Sequence, residues 1–232
     1  MARALGARFL DENCEELAEG GGSLRRMGTI DVSKIDERIY ETHIEVACDV
    51  TNPLIGPEGA ARIFGPQKGA TPEMVEQLEE GLARLGEKIS EQLGKEVVDL
   101  PGAGAAGGLG AGLVAFCGAE LKRGVELVID AVGLAERLKG ADLCITGEGR
   151  LDSQSASGKT VSGVAGLAKS LNVPVVALAG TVGEGAQMVL EQGVSEYFSI
   201  KPDSMSIVEA IERAPELLGE AAERIARKFL GA

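Results

Sequence analysis

Residues 143–152, LCITGEGRLD, are the stretch that decides the fold. Residues 143–146 predict a β-strand, and the polar, glycine-flanked residues 147–152 predict a loop at its carboxyl end. Helix and strand patterns then alternate along the chain, with helices predicted at 161–171, 185–192 and 207–229 and strands at 175–179 and 197–200. This order predicts an α/β fold in which parallel strands are joined by right-handed helical crossovers.

The pattern upstream of this stretch is less regular. A helix is predicted over residues 72–93, because Thr71 is a good N-cap, Pro72 suits the first helical position and Gly94 ends the pattern. The other upstream predictions are a short helical start at 2–10, strands at 43–50 and 97–100, and a helix at 125–138. We therefore expect two parts, residues 1–139 and residues 140–232.

Composition and charge exclude several classes of protein. The chain has 23 Lys and Arg against 36 Asp and Glu, a net charge of −13, which argues against a nucleic-acid partner because phosphate neutralisation needs clustered cations. Hydrophobic residues make up 44%, as in globular proteins. Residues 100–119 carry no charge, but Pro101 and seven glycines make them too weakly apolar to predict a membrane helix.

Cysteine and histidine are too sparse for most metal or nucleophile chemistry. The four cysteines lie far apart and His43 is the only histidine, so we expect no Cys/His metal cage. His43 lies in the alternating pattern of the strand predicted at 43–50, where a structural or surface role is expected. Scattered thiols are typical of a reducing compartment and the first residues show no secretory signal, so a cytoplasmic location is expected.

Glycine is over-represented, with 33 residues, and is concentrated around residues 101–118. Residues 102–107, GAGAAG, fit the G-x-G-x-x-G fingerprint of dinucleotide-binding loops. In so glycine-rich a segment this pattern arises easily by chance. The alternatives to an NAD site are a loop that binds a phosphate or carboxylate and a close-packed turn in which glycines let backbones approach.

Two further segments could bind an anion or a cation. Residues 158–160, GKT, resemble the end of a P-loop, although position 153 is Ser where the full pattern needs Gly. Lys159 and Thr160 still suit an anion, because lysine supplies charge and the start of the predicted helix supplies N–H donors. Glu148 and Asp152 could coordinate Mg²⁺ at the edge where open α/β sheets bind ligands, or could simply belong to an exposed polar loop.

Three polar residues of the upstream part are further candidates. Asp49 ends a predicted strand and is followed by Asn52, so it could orient a hydroxyl or act as a base, or it could cap the turn. Lys68 places one cation on a loop constrained by Pro66, which alone indicates little.

Four segments together resemble the bacterial glycerate kinase family of glycerate and glucarate catabolism. They are residues 49–57 (DVTNPLIGP), 64–71 (FGPQKGAT), 101–110 (PGAGAAGGLG) and 145–152 (ITGEGRLD). The resemblance implies an ATP-dependent kinase that phosphorylates D-glycerate, giving 2-phosphoglycerate. It also implies two α/β domains with a cleft between them. One is a Rossmann-like, parallel three-layer domain, and residues 140–232 would form its C-terminal part. The other is inserted within the first, and residues 1–139 would belong to it.

The resemblance gives the candidate residues roles in phosphoryl transfer, which depends on positioning and charge neutralisation. Glu148 and Asp152 would hold Mg²⁺ or contact the substrate hydroxyl, with Asp152 as the base. Lys68 would neutralise phosphate charge, and Lys159 and Thr160 would bind phosphate. Asp49 and Asn52 would orient the glycerate. A phosphate or the glycerate carboxylate would be bound by the backbone at four glycines, Gly102, Gly104, Gly107 and Gly108.

The chain departs from the family at its start. Family members carry a PDSFKG segment, an ADGGEG segment and a GGSATNDGG loop upstream, and none of these occurs here. We therefore expect the chain to correspond to the C-terminal part of the kinase, with little activity alone and an open sheet edge that favours self-association. The alternative is a non-catalytic module that binds a small acid or a nucleotide.

Overall fold

A computed structural model describes residues 1–153, 155 and 160–231. The chain divides into two compact units, Met1–Lys122 and Arg123–Ala232. Residues 123–139, which the sequence-based division at 139/140 placed in the first part, belong here to the second unit, because the helix Gly124–Ala131 packs against the helix Thr160–Ser170.

The first unit combines two small sheets with three helices. Its strands are β1 (Arg8–Asp11), β2 (Met27–Asp31), β3 (Glu45–Ala47) and β4 (Glu120–Lys122), and its helices are α1 (Ala60–Phe64), α2 (Pro72–Leu93) and α3 (Ala105–Cys117), with 3-10 turns at Ala2–Leu5, Gly21–Arg26, Glu37–Glu41 and Pro66–Lys68. Strands β1 and β2 pair antiparallel, whereas β3 and β4 pair parallel. Met27, Leu54 and Ile89 are fully buried in its core.

The second unit is a parallel sheet with helices on both faces. Its strands are β5 (Cys144–Leu151), β6 (Val175–Val182) and β7 (Glu196–Ser199), and its helices are α4 (Gly124–Ala131), α5 (Leu134–Leu138), α6 (Thr160–Ser170), α7 (Ile207–Glu212) and α8 (Ala214–Leu230), with a 3-10 turn at Ala186–Leu190. The strand order is β5-β6-β7 and both pairs are parallel, which confirms the prediction. One core cluster includes α6 and another includes α8.

Helix α2 begins and ends where its capping residues predict. The Thr71 side chain accepts a hydrogen bond from the Met74 amide at 3.3 Å, and Gly94 adopts the left-handed conformation at the other end.

Several other predictions are corrected by the structure. Residues 8–10, predicted as helix, lie in β1, and residues 97–100 form no strand. The predicted helix 125–138 is broken at Gly133, whose φ is 61°. The predicted helix 207–229 is broken at Arg213, because Pro215 lacks an N–H and lies in the first turn of a new helix that begins at Ala214. Among the described residues, no helix has the length and apolar character needed to cross a membrane.

Candidate functional site

Strand β5 carries Glu148 and ends immediately before Asp152. The sequence predicted a loop over residues 147–152, but residues 147–151 continue the strand and pair with residues 178–182 of β6. Gly147 permits this close pairing, because a Cβ there would lie 2.3 Å from the Leu178 carbonyl oxygen. Glu148 is therefore fixed on a sheet, opposite Ala179, and not carried by a mobile loop.

The carboxylate of Glu148 has an unsatisfied oxygen. Its Oε1 is buried and has no hydrogen-bond partner among the described residues. The residue lines a cavity of about 810 Å³ in the second unit, whose wall is otherwise mainly apolar, with Ile145, Ile207 and Ile211 among its side chains. A buried carboxylate oxygen without a donor is costly unless a cation or a proton donor binds it, so this position fits a ligand of Mg²⁺.

Asp152 lies in a tight turn after β5. Its amide donates to the Ser155 hydroxyl at 3.1 Å, and the Ser155 amide donates to the Asp152 carbonyl at 3.0 Å. The carboxylate lies 3.2 Å from the Arg150 guanidinium. Asp152 is thus held in place by its backbone and by a cation. Thr160 is the first residue of α6, while Lys159 lies outside the described residues.

Most of the glycines of the segment 101–110 (the glycine segment) are explained by packing. A Cβ at Gly104 would lie 2.3 Å from the Pro53 carbonyl oxygen, and one at Gly102 would lie 2.8 Å from the Cys48 sulfur. A Cβ at Gly108 would lie 3.1 Å from two leucine side chains. Gly107 differs, since a Cβ there would meet nothing within 4 Å. It is the position in this set that faces open space.

Three consecutive residues of the glycine segment are left-handed. Ala106, Gly107 and Gly108 have φ values of 50°, 75° and 96°. Such a conformation is strained for alanine, costing about 1–3 kcal/mol, and strain of this kind clusters at ligand sites. Ala106 and Gly107 line a cavity of about 590 Å³ in the first unit together with Gln67 and Lys68. The structure thus brings Lys68 and Gly107, both predicted from the sequence, to one cavity.

Asn52 is tied to the glycine segment through its backbone. Its carbonyl oxygen accepts a hydrogen bond from the Gly104 amide at 3.0 Å, while its side-chain amide donates to the Glu58 carbonyl at 2.7 Å. Asp49 is exposed and lies beyond the end of β3, because the predicted strand 43–50 is shorter than expected. The predicted residues therefore fall into two groups. Asp49, Asn52, Lys68 and the four glycines belong to the first unit, and Glu148, Asp152 and Thr160 belong to the second.

Sequence reasoning did not single out Ala106, Gln67 or Glu79. Ala106 carries no side-chain signal for a left-handed conformation, which favours Gly or Asn. Gln67 lies beside Lys68 in the family-like segment 64–71 and could have been included on that ground. Glu79 looks like one of many charges on a helix, and its contact with Gly56 joins residues far apart in the chain.

One surface cluster outside these groups combines a histidine with two carboxylates. Ligand atoms of His43, Glu45 and Glu120 lie within 4.8 Å of one another. The Lys122 ammonium contacts both carboxylates, and its hydrogen bond, followed by that of His43, lowers the pKa of Glu45. The cluster is therefore a charge-compensated ion-pair network at the exposed end where β3 and β4 begin.

Comparison with known proteins gives a consistent result. A profile of the glycerate kinase family matches residues 1–230. The chain is 51% identical over 226 residues to a glycerate kinase of Halalkalibacterium halodurans and 46% identical over 226 residues to a glycerate 2-kinase of Escherichia coli. A crystal structure described as "putative glycerate kinase 2" from Salmonella typhimurium LT2 has a TM-score of 0.81 at 46% identity and covers the whole chain. The matches cover 97% of this chain but 60% and 59% of the two relatives, and the chain spans 60% of the solved structure.

Proposed function

The chain belongs to the glycerate kinase family, and from this premise we propose that it serves the ATP-dependent phosphorylation of a hydroxyl of D-glycerate, giving 2-phosphoglycerate. The observation that carries the proposal is the cavity shared by Lys68 and the left-handed residues Ala106 and Gly107. A cation beside strained backbone with open space in front of it suits a small anion. Glycerate and the phosphates of ATP are both anions of this kind.

The residues of the first unit would bind and orient. Lys68 would neutralise negative charge on a carboxylate or phosphate in the cavity. Asn52 and Asp49 would orient the glycerate, with Gly107 leaving room for it. At Gly102, Gly104 and Gly108 a side chain would collide with neighbouring atoms. These three glycines would therefore contribute to binding indirectly, by allowing the conformation of the segment.

The residues of the second unit would bind the metal ion and the phosphate and would accept the hydroxyl proton. Glu148 and Asp152 would hold Mg²⁺, which when bound neutralises phosphate charge. Asp152 would accept the proton of the glycerate hydroxyl, and its contact with the Arg150 guanidinium at 3.2 Å would orient the carboxylate. Thr160 would bind phosphate at the start of α6. Lys159, which lies outside the described residues, is proposed as a phosphate-binding residue from the sequence alone.

The test is glycerate-dependent ADP formation, measured with two proteins. One is the 232-residue chain itself. The other is a chimera in which these residues replace the matching part of the Halalkalibacterium halodurans relative. ADP formation that requires D-glycerate in either protein supports the proposal, and comparison of the two shows whether the matched part suffices. ATP binding without ADP formation in both would favour the non-catalytic module, and binding of NAD(H) would favour the dinucleotide interpretation.

Location and self-association are proposed on separate grounds. All four cysteines are free thiols, which supports a reducing compartment such as the cytoplasm. Strand β5 lies at one edge of its sheet, and exposed isoleucines of α7 lie nearby in the wall of the apolar cavity. An open edge next to apolar surface supports self-association of the chain.

A further inference from the structure

Glu79 is an unusual charge on helix α2. Its neighbours Glu76 and Glu80 point to solvent, with side chains 59% and 67% exposed, whereas the Glu79 side chain is 13% exposed. One of its oxygens, Oε2, is buried without a hydrogen-bond partner among the described residues. A carboxylate that is largely removed from water destabilises the fold unless it makes compensating contacts.

The compensating contact is with a loop distant in sequence. Glu79 Oε1 accepts a hydrogen bond from the Gly56 amide at 2.5 Å, and the Arg62 guanidinium lies 3.7 Å from the same oxygen. Arg62 is held mainly by Glu76, with which it makes two hydrogen bonds. Hydrogen bonds from a backbone N–H to a carboxylate are short and strong. Glu79 therefore fixes Gly56, whose φ of 95° marks the bend of the loop.

That loop, residues 52–59 (the Asn52 loop), is also held by the glycine segment. The Gly104 amide donates to the Asn52 carbonyl, and the absence of a Cβ at Gly104 lets its backbone approach Pro53. Inside the loop, the Asn52 side chain donates to the Glu58 carbonyl. The Asn52 loop thus lies between the Glu79 carboxylate and the segment that carries Ala106 and Gly107.

We propose that Glu79 is a positioning residue for substrate binding: it holds the Asn52 loop, and through it the glycine segment, in the conformation that binds glycerate. The proposal rests on the proposed function. Glu79 itself does not contact substrate, and a residue that acts through a loop in this way changes the affinity for glycerate more than the chemical step. Nucleotide affinity and turnover should therefore be little affected by its loss.

The experiment compares three variants in the chain and in the chimera. Glu79→Gln keeps an oxygen that accepts from Gly56, Glu79→Met removes the acceptor at similar size, and Glu80→Met is the control on the exposed face of α2. Glu79→Met should raise KM for D-glycerate about tenfold, as expected for loss of one charge-assisted hydrogen bond, with kcat and KM for ATP changed less than about threefold. Glu79→Gln should restore most of the glycerate affinity, and Glu80→Met should match the wild type.

Hydrogen exchange of the Gly56 amide gives an independent readout. It should be protected in the wild type and in Glu79→Gln and should exchange faster in Glu79→Met. An active wild type whose KM for glycerate is unchanged by Glu79→Met would overturn this inference and leave the proposed function standing. If Glu79→Met lowers kcat and raises KM for glycerate and KM for ATP by similar factors, the inference is also overturned, because such a result indicates general damage to the fold. A wild type without glycerate-dependent ADP formation would overturn the proposed function and this inference with it.

Discussion

Asp152 is the residue at which the proposed chemistry can be tested most directly. Replacing Asp152 with Asn keeps the size of the side chain but removes the proton acceptor, so kcat should fall about 10²- to 10⁴-fold, the range for loss of a general base. The backbone hydrogen bonds with Ser155 do not involve the replaced group, so the fold should be retained. The measurement is ADP formation by the chimera at saturating glycerate and ATP.

The control for this substitution is Asp142→Asn, which makes the same change at an exposed position before β5. It should leave kcat unchanged. An Asp152→Asn variant that turns over as fast as its parent would remove this residue from the mechanism.

Substitutions at Gly104 and Gly107 distinguish the cost of a packing clash from the cost of backbone strain in the glycine segment. Gly104→Ala places a Cβ 2.3 Å from the Pro53 carbonyl oxygen, which should destabilise the first unit by about 2–3 kcal/mol because backbone must move. Gly107→Ala meets open space and should cost only the left-handed penalty of about 1–2 kcal/mol. Gly22→Ala, at a position with open space and an ordinary φ, is the control.

The free energies of local unfolding of the first unit can be measured by native-state hydrogen exchange. A smaller effect for Gly104→Ala than for Gly107→Ala would show that the contact with Pro53 is relaxed in solution. Activity gives a second comparison, between Gly107→Ala and the control Gly22→Ala. The Cβ of Gly107→Ala would project into open space beside the cavity and should raise KM for glycerate, whereas Gly22→Ala should leave this KM unchanged.

At the scale of single elements, helix α2 depends on a local signal. Thr71→Ala removes the N-cap hydrogen bond to the Met74 amide and should lower stability by about 1 kcal/mol. Thr71→Ser retains a hydroxyl and should restore most of the loss. Thermal denaturation followed by circular dichroism measures both, and equal melting temperatures for Thr71→Ala and the wild type would show that the cap contributes nothing.

The contrast between α2 and β5 shows what sequence patterns can predict. The ends of α2 follow from Thr71, Pro72 and Gly94, each of which acts on its immediate neighbours. The second half of β5 contains Gly147 and Gly149, which disfavour strands, and it becomes a strand because β6 pairs along its whole length. Long-range pairing is not encoded in the local pattern.

For the candidate site, too, the sequence predicts what depends on residue type and local pattern but not what depends on long-range contacts. Residue type and the family-like segments predict Lys68, Glu148 and Asp152 as site residues, and the structure shows the 3-10 turn, the strand and the turn on which they lie. The glycines could not be sorted from the sequence, because a glycine required by a neighbouring carbonyl and one that faces open space look alike. Glu79 was missed because its partner, Gly56, is distant in sequence and offers only a backbone amide.

At the scale of the whole molecule, the chain consists of two units with separate cores. The first core includes Met27, Leu54 and Ile89, and the second includes Val161 and Val175. The proposed binding residues belong to the first unit and the proposed reacting carboxylates to the second. Lys68→Ala and Asp152→Asn should each lower the rate of ADP formation by the chimera, although each residue lies in a unit with its own core.

Self-association is the prediction that belongs to the whole chain. Strand β5 is an edge strand of the three-stranded sheet, and Ile207, Val208 and Ile211 of α7 are 60%, 70% and 69% exposed. Burial of such apolar surface between two copies is favourable, so the mean mass in sedimentation velocity should rise with concentration. Ile211→Lys should shift the chain towards the monomer, because a lysine ammonium must lose its water on burial. Met74→Lys, the same kind of change at an exposed site on α2, should not. A mass that stays monomeric at all concentrations, or that falls equally in both variants, would show that the α7 surface is not the contact.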